Sequence, residues 1–361
     1  MTTPAVRTAL QRLVASGWPQ PGAPAAAPLW VGARPPASRG AILAILPTML
    51  SRFDDPGARL LRREVVAQLA AVAAERPAWL VIGLQHDSDD EQGIRLRLEA
   101  ELEALRCPQV GISAFSLRCW GKLYSTNVAI AEAERIGADG LLLLDDDITL
   151  APDCLARLVR QFGQMPYPCA VGAVKRGRPY DSRAARLLFR MKSLTRPAMN
   201  YPHACCALVS LEVVRGGLSP HHHSDDGQIC FRLLRPGTPE PLAALRLIEG
   251  AECQHVVGSG WRGTLRRLNR MLHHHAICMA DAPYDSARFY FRHMLFHGLW
   301  PLAPFDSSHG IPRGMGKLAI KGIYFLWFSV VVGRLALFGA VRQSIGEVAW
   351  GSAGSTAVSD K

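Results

Sequence analysis

Among the chain's nine cysteines (107, 119, 154, 169, 205, 206, 230, 253 and 278) there is no CxxC pair, and their number is odd. Neither a disulfide framework nor a paired-cysteine metal site is therefore written into the sequence, and reduced, buried thiols of a cytosolic chain are expected. A charged n-region followed by an apolar run and a small-residue cleavage site is missing, so export is not expected. Repeats and low-complexity tracts are absent although Gly and Pro are plentiful, which excludes fibrous and disordered classes. Acidic residues are in deficit, 30 against 41 Lys and Arg, leaving a formal charge of +11. Such a balance suits an anionic partner: nucleic acid, a phosphorylated substrate or the inner face of a membrane. No basic run with interleaved aromatics forms a stacking groove, which argues against nucleic acid.

The 361 residues suffice for one large α/β domain plus accessory segments. Residues 1–38 read as a Pro- and Ala-rich arm. Gly40–Leu46 is a short apolar run stopped by Pro47-Thr48, the pattern of a buried strand with its loop at the carboxyl end. A helical pattern through Leu61, Val65, Leu69 and Val72 ends at Pro77. A second strand over Trp79–Leu84, a polar loop Gln85–Asp90, a charged helix over Glu91–Leu105 and a third strand over Gln109–Phe115 follow. Alternating strands and helices predict a mostly parallel twisted sheet with helices on both faces. The fourth unit is the plainest: a helix over Leu123–Ile136, then Gly140–Leu144, then three aspartates. Pro152 is expected in the first turn of the next helix, Cys169–Val174 as a fifth strand and Cys205–Leu211 as a further apolar run. Residues 175–203 are basic, and an amphipathic helix follows Asp225-Asp226.

Polar residues just past the carboxyl end of a buried strand stand where open α/β sheets place ligands. Three consecutive aspartates repel one another unless a cation compensates them. Asp145 and Asp147, two apart, can present two carboxylates on one side, a donor set for a hard divalent cation that neutralises a diphosphate as a Lewis acid. The same string, Asp145-x-Asp147-x-Thr149, also fits aspartyl phosphatases, with Asp145 as nucleophile and Asp225-Asp226 as later magnesium carboxylates. That motif ordinarily lies on the first strand of its domain, whereas three strand-helix units come first here. The triple histidines 221–223 and 273–275 do not point to zinc, because neighbours cannot all face one ion and no cysteine pair completes the set.

Residues 40 to about 235 resemble glycosyltransferase family 2, through the opening strand with Pro47-Thr48, Gly121-Lys122 and Asn127 on one helix, LLLLDDDITLAPDCL, and Ser224-Asp225-Asp226-Gly-Gln-Ile-Cys-Phe-Arg232-Leu233. The resemblance implies a GT-A fold and an inverting, metal-dependent transfer of sugar from a nucleotide-diphosphate donor. It implies a metal set of Asp145, Asp147 and His255 for Mn²⁺ or Mg²⁺, and a donor set of Pro47, Thr48, Asp87, Asp90, Lys122, Asn127, Asp145, Asp146, Arg262 and Arg266. Asp226 matches the family's catalytic base, with Asp225 beside it raising its pKa or orienting it. Gln85–Asp90 fits the family's base-recognising stretch only loosely. Gly260-Trp261-Arg262 replaces the Q-x-x-R-W string of processive synthases, which favours single addition. A non-catalytic nucleotide-sugar-binding protein is a further alternative, for which the intact acidic motifs offer no support.

The expected organisation is an arm (1–38), a catalytic domain (39–275, donor half 39–150, acceptor half 151–275), a C-terminal helical segment (276–349) and a tail (350–361). Gly322–Val341 is an apolar run about as long as a bilayer-spanning helix, with Arg334 its one charge and Tyr324 and Trp327 resembling interfacial anchors. It is expected to span the membrane, lie on it, or bury against protein or in an oligomer contact. The expected partners are thus a nucleotide-sugar donor, a glycan or lipid-linked acceptor and the inner face of the membrane.

Overall fold

The computed structural model describes residues 27–119, 121–179, 201–219, 224–257, 272, 274–295, 315, 319, 322–323 and 325–333. Among them, nine strands form one sheet: β1 (Leu29–Val31), β2 (Ile42–Met49), β3 (Ala78–Gln85), β4 (Gly111–Leu117), β5 (Gly140–Leu144), β6 (Ile148–Leu150), β7 (Ala170–Pro179), β8 (Cys206–Ser210) and β9 (Leu245–Val257). Their spatial order is β1-β4-β3-β2-β5-β8-β7-β9-β6. The helices are α1 (Leu50–Phe53), α2 (Pro56–Ala73), α3 (Glu91–Ala104), α4 (Lys122–Ile136), α5 (Cys154–Phe162), α6 (Leu211–Val214), α7 (Asp225–Leu233) and α8 (Tyr284–Phe289), the last continued by a π-helical turn over Tyr290–Leu295.

The α/β class and the helices on both faces are as expected. The parallel pairings join β2 to β3, β3 to β4, β2 to β5 and β7 to β9. The sheet becomes mixed at its edges and beyond β5, because β1, β8 and β6 run antiparallel to their neighbours. Period-two alternation sorts the buried strands between two cores. Leu43 and Ile45 of β2 and Leu141 and Leu143 of β5 face α4 and α7, while Ile42, Ala44, Leu142 and Leu144 face α2, α3 and α5. Apolar side chains at helical spacing cover them: Leu61, Val65, Leu69 and Val72 of α2 on one side, Ala129, Ile130, Ala133 and Ile136 of α4 on the other.

Three expectations change. The arm is not wholly accessory, since Leu29–Val31 adds an antiparallel edge strand to β4, and Arg34 next to it pairs with the buried Glu132 of α4. Pro47 and Thr48 are not a loop: β2 continues through them, opposite Gly83 and Leu84 of β3. Pro is tolerated there because it is near the strand end, where the ladder can lose one donor. Pro152 precedes its helix, which starts at Cys154 with Asp153 as N-cap at φ 58°. Among the described residues no helix is long and apolar enough to cross a membrane.

β2 is the switch point of the parallel region. From it the chain winds outward to β3 and β4 on one side, then returns to place β5 on the other. The turns that follow β2 and β5 thus lie side by side at the carboxyl ends of neighbouring parallel strands, the end of an α/β sheet where ligands are taken.

Candidate functional site

The polypeptide leaves β5 through Asp145, Asp146 and Asp147 and turns directly into β6. Alternation carries over into this turn. Asp146 faces inward at 6 % exposure, while the side chain of Asp145 is partly open and Asp147 is exposed. Across the switch point, Thr48 Oγ1 donates to Asp146 Oδ2 at 2.9 Å. Arg52 of α1 approaches Asp146 Oδ1 at 3.5 Å. Burial still dominates and pushes the Asp146 carboxyl up to about 6, against the pull of Arg52 and Thr48. Of the expected donor residues, Asp146 and Thr48 are thus bonded to each other. They tie the acidic turn to β2, and Pro47 is likewise buried inside that strand.

Gly121 precedes α4 with φ +138°, a conformation that side chains strain to adopt. Gln85 at the end of β3 holds it from both sides: its Nε2 donates to Gly121 O at 2.9 Å, and its Oε1 accepts from Gly121 N at 3.2 Å. This fixes the next residue, Lys122. Its ammonium lies 2.5 Å from Asp145 Oδ1, 2.8 Å from Asp225 Oδ2 and 3.2 Å from Ala204 O. Burial disfavours the charge, but the two carboxylates outweigh it and hold the Lys122 pKa well above its ordinary value. Carboxylates from the β5 turn and from the N-terminus of α7 are therefore gathered around one cation supplied by α4.

Ser224 caps α7, accepting from Gly227 N at 3.1 Å. The helix N-terminus favours the two negative charges of its first turn. Asp225 is buried, which raises its pKa against the influence of Lys122. Asp226 is more open. Its Oδ1 accepts from Ser224 Oγ at 2.6 Å and from Gly227 N at 2.8 Å, and its Oδ2 faces His203 Nδ1 at 3.3 Å. Burial would raise Asp226, yet the bonds from His203 and Ser224 prevail and hold it well below the carboxylate range. Tyr201 packs on His203 with ring centroids 4.9 Å apart, and Tyr290 reaches Tyr201 and His275 through its hydroxyl at 3.3 and 2.8 Å.

His255 lies on β9 directly opposite Ile148 of β6, so strand register sets it across from the residue that follows Asp147 despite their separation in sequence. It is buried, and its Nδ1 lies 3.3 Å from Arg176 O. Among the described residues no three His, Cys, Asp or Glu side chains form a ready metal cluster. The remaining expected residues divide. Asn127 has both ends of its amide engaged by the backbone of Leu218, at 2.8 Å each. It clamps α4 to the segment after α6. Asp90 caps α3 through Gly93 N at 2.8 Å, whereas Asp87 is exposed on the loop after β3. Arg262 and Arg266 lie outside the described residues.

Sequence reading missed His203, Arg52, Tyr201 and Tyr290. His203 carried a faint signal as an isolated ionisable residue ahead of the apolar run Cys205–Leu211; the others carried none. The vicinal Cys205 and Cys206 are core residues, with Cys205 Sγ 3.9 Å from Cys253 Sγ and Cys206 Sγ 3.9 Å from Cys154 Sγ.

No protein-family model matches the sequence, and comparison with curated proteins gives no match. Among solved structures the chain is similar to glucosyl-3-phosphoglycerate synthase from Mycobacterium tuberculosis. With its complex with UDP it shares 15 % identity over 69 % of this chain and 87 % of the other, at a TM-score of 0.38. With the complex holding Mn²⁺, UDP-glucose and glycerol 3-phosphate the figures are 15 %, 67 %, 78 % and 0.37. With the Mg²⁺ and UDP complex they are 13 %, 75 %, 81 % and 0.38.

Proposed function

We propose that the chain is a glycosyltransferase that uses a divalent metal, Mn²⁺ or Mg²⁺, and a nucleotide-diphosphate sugar. The observation that carries this reading is the convergence at the β2/β5 switch point: the acidic turn and the N-terminus of α7 meet across Lys122 at 2.5 and 2.8 Å. A diphosphate leaving group needs fixed positive charge where its own negative charge develops. The donor atoms suit a hard cation: Asp145 and Asp147 offer carboxylate oxygens, and His255 across the β6–β9 ladder offers an imidazole that Mn²⁺ accepts. When bound, the cation would supply Lewis-acid stabilisation of the departing diphosphate. Lys122 stands where it can also meet diphosphate oxygens. Asp225 and Asp226, with the helix N-terminus beneath them, form the acidic pole facing the acceptor hydroxyl.

In this reading residues 39–150 bind the donor and 151–275 the acceptor, a glycan, lipid-linked or other hydroxyl, in surface polysaccharide or glycoconjugate synthesis. Transfer is inverting, as in family 2. Contact with the inner face of the membrane, by a chain taken as cytoplasmic, is supported by Ile323, Leu326, Trp327 and Val330, which recur at i, i+3, i+4 and i+7 and are exposed. The test is a thermal-shift panel of UDP, GDP, CDP and dTDP with Mn²⁺. One base should stand out, since a ligand at a hundred times its Kd stabilises by ~2.7 kcal/mol. Asp145→Asn and Asp147→Asn should each abolish that shift. Absence of any nucleotide shift, with inorganic phosphate released from phosphate esters instead, would return the aspartyl phosphatase.

A further inference from the structure

Building on the glycosyltransferase reading, we propose that the imidazole of His203, through Nε2, takes the proton of the attacking hydroxyl, and that Asp226 is the carboxylate that orients it. The geometry is that of a hydrogen-bonded His–Asp dyad, with Nδ1 3.3 Å from Oδ2. An ionised carboxylate can only accept, so Nδ1 carries the proton and Nε2 is left as the accepting nitrogen. The dyad is part open to solvent, His203 at 38 % and Asp226 at 26 % side-chain exposure. Asp226 itself is poorly placed to receive a proton: Ser224 Oγ and Gly227 N already donate to Oδ1 and His203 faces Oδ2. The same bonds hold its pKa low, and so weak a base transfers a proton with little driving force.

The surroundings fix the ring. Tyr201 packs against it from its own segment with the rings tilted, and Tyr290, itself bonded to His275, reaches the Tyr201 hydroxyl. Ala204, the next residue, accepts from Lys122 through its carbonyl, so the dyad is tied to the ammonium that holds Asp145. The ionisable groups around it are Asp226 and Asp225 of α7, Lys122 of α4, Tyr201, Tyr290 of the π-helical turn and His275. In the transfer, the acceptor oxygen forms its bond to the anomeric carbon as its proton passes to Nε2. The carbon–oxygen bond to the diphosphate breaks with its electron pair on the nucleoside diphosphate. The imidazolium then gives its proton to solvent.

Two measurements test this on the full chain. The first needs no turnover: ¹⁵N-detected ring shifts of His203, assigned by difference with His203→Gln. A neutral ring protonated at Nδ1 near pH 7.5, shifting toward the other tautomer in Asp226→Asn, is expected. A ring protonated at Nε2, or still fully charged at pH 8, overturns the proposal. The second is UDP release from UDP-glucose and Mn²⁺ with water as acceptor. His203→Gln should lower kcat about a hundredfold or more with KM little changed, and added imidazole should restore part of the rate of His203→Ala. A His203→Gln rate equal to the parent's, while Asp226→Asn is inactive, makes Asp226 the base and overturns it. UDP binding with Mn²⁺ should survive in His203→Gln. If the parent binds no nucleotide, the glycosyltransferase reading fails, whereas the tautomer result still decides the dyad.

Discussion

Asp145 and Asp146 are adjacent and chemically identical, yet their replacement by asparagine should move stability in opposite directions. Asp146 is 6 % exposed, and burial pushes its carboxyl from 3.8 up to about 6, with Arg52 and Thr48 offsetting only part of that cost. A carboxyl whose folded pKa lies above its unfolded value contributes most below the unfolded value and loses that contribution as pH rises through the folded one. Ionising Asp146 at neutral pH therefore costs the fold ~3 kcal/mol at 1.36 kcal/mol per pKa unit. Asp146→Asn keeps an acceptor for Arg52 and a group that can bond Thr48, but has nothing to ionise. In metal-free protein with EDTA it should be more stable than the parent by roughly 1–3 kcal/mol at pH 7.5, with the gain vanishing below pH 4. Asp145→Asn removes a partner that lies 2.5 Å from the buried Lys122 ammonium and should instead cost roughly 1–3 kcal/mol. Urea titrations at both pH values measure both. Equal destabilisation by the two variants at pH 7.5 would refute the assignment of Asp146 as the buried, strained member of the turn.

Three further outcomes follow from other contacts. Arg62 is fully buried and pairs with Glu101 at 2.5 Å between α2 and α3; Glu101→Leu should cost ~3–5 kcal/mol, and the double variant with Arg62→Met should recover most of it, by denaturant midpoint. Glu132 is buried, which would raise its pKa, but Arg135 and Arg34 lower it. Its contribution is therefore present above the ordinary carboxylate pKa and lost as pH falls, so Glu132→Gln should destabilise by ~1–3 kcal/mol at pH 7 and by much less near pH 3.5. Asn127→Leu removes both bonds to Leu218 and should lower stability by ~1–3 kcal/mol while leaving unchanged the affinity for whichever nucleotide the thermal panel with Mn²⁺ selects, as isothermal titration would register.

What the sequence revealed was governed by local physics. Four consecutive leucines cannot face water, so Gly140–Leu144 was legible as a two-face strand, and the aspartates after it as the turn at its carboxyl end. Helices α2 and α4 announced themselves through apolar spacing, and their bounds came close. Short elements escaped: β1 lies between prolines and β6 has three residues, and both exist because a neighbouring strand offers an open edge. Side-chain roles were harder. Thr48 and Asn127 stand in motifs, yet each is held by long-range bonds, one to Asp146 and two to Leu218 respectively, which no local pattern specifies. His203 became visible only when folding set it against Asp226. His255 was placed beside the acidic turn by strand register, a non-local property that spacing along the chain does not encode.

Lys122 is where these lines meet, because the ion pairs at 2.5 and 2.8 Å make it the counter-ion of both acidic elements. Removing it leaves Asp145 and Asp225 facing each other in a poorly solvated site, and stripping one partner from such an arrangement costs about 3–5 kcal/mol. Lys122→Met retains most of the aliphatic stem, so the loss reports the charge and not a cavity. With EDTA the variant should melt well below the parent, and Mn²⁺ should raise its Tm more than it raises the parent's, because the added cation substitutes for the missing ammonium. A variant as stable as the parent in EDTA would mean that Asp145 and Asp225 shed their charge or reach solvent without help. The acidic turn and α7 would then be held together by packing alone, and the switch-point site would lose the electrostatic reason for its assembly.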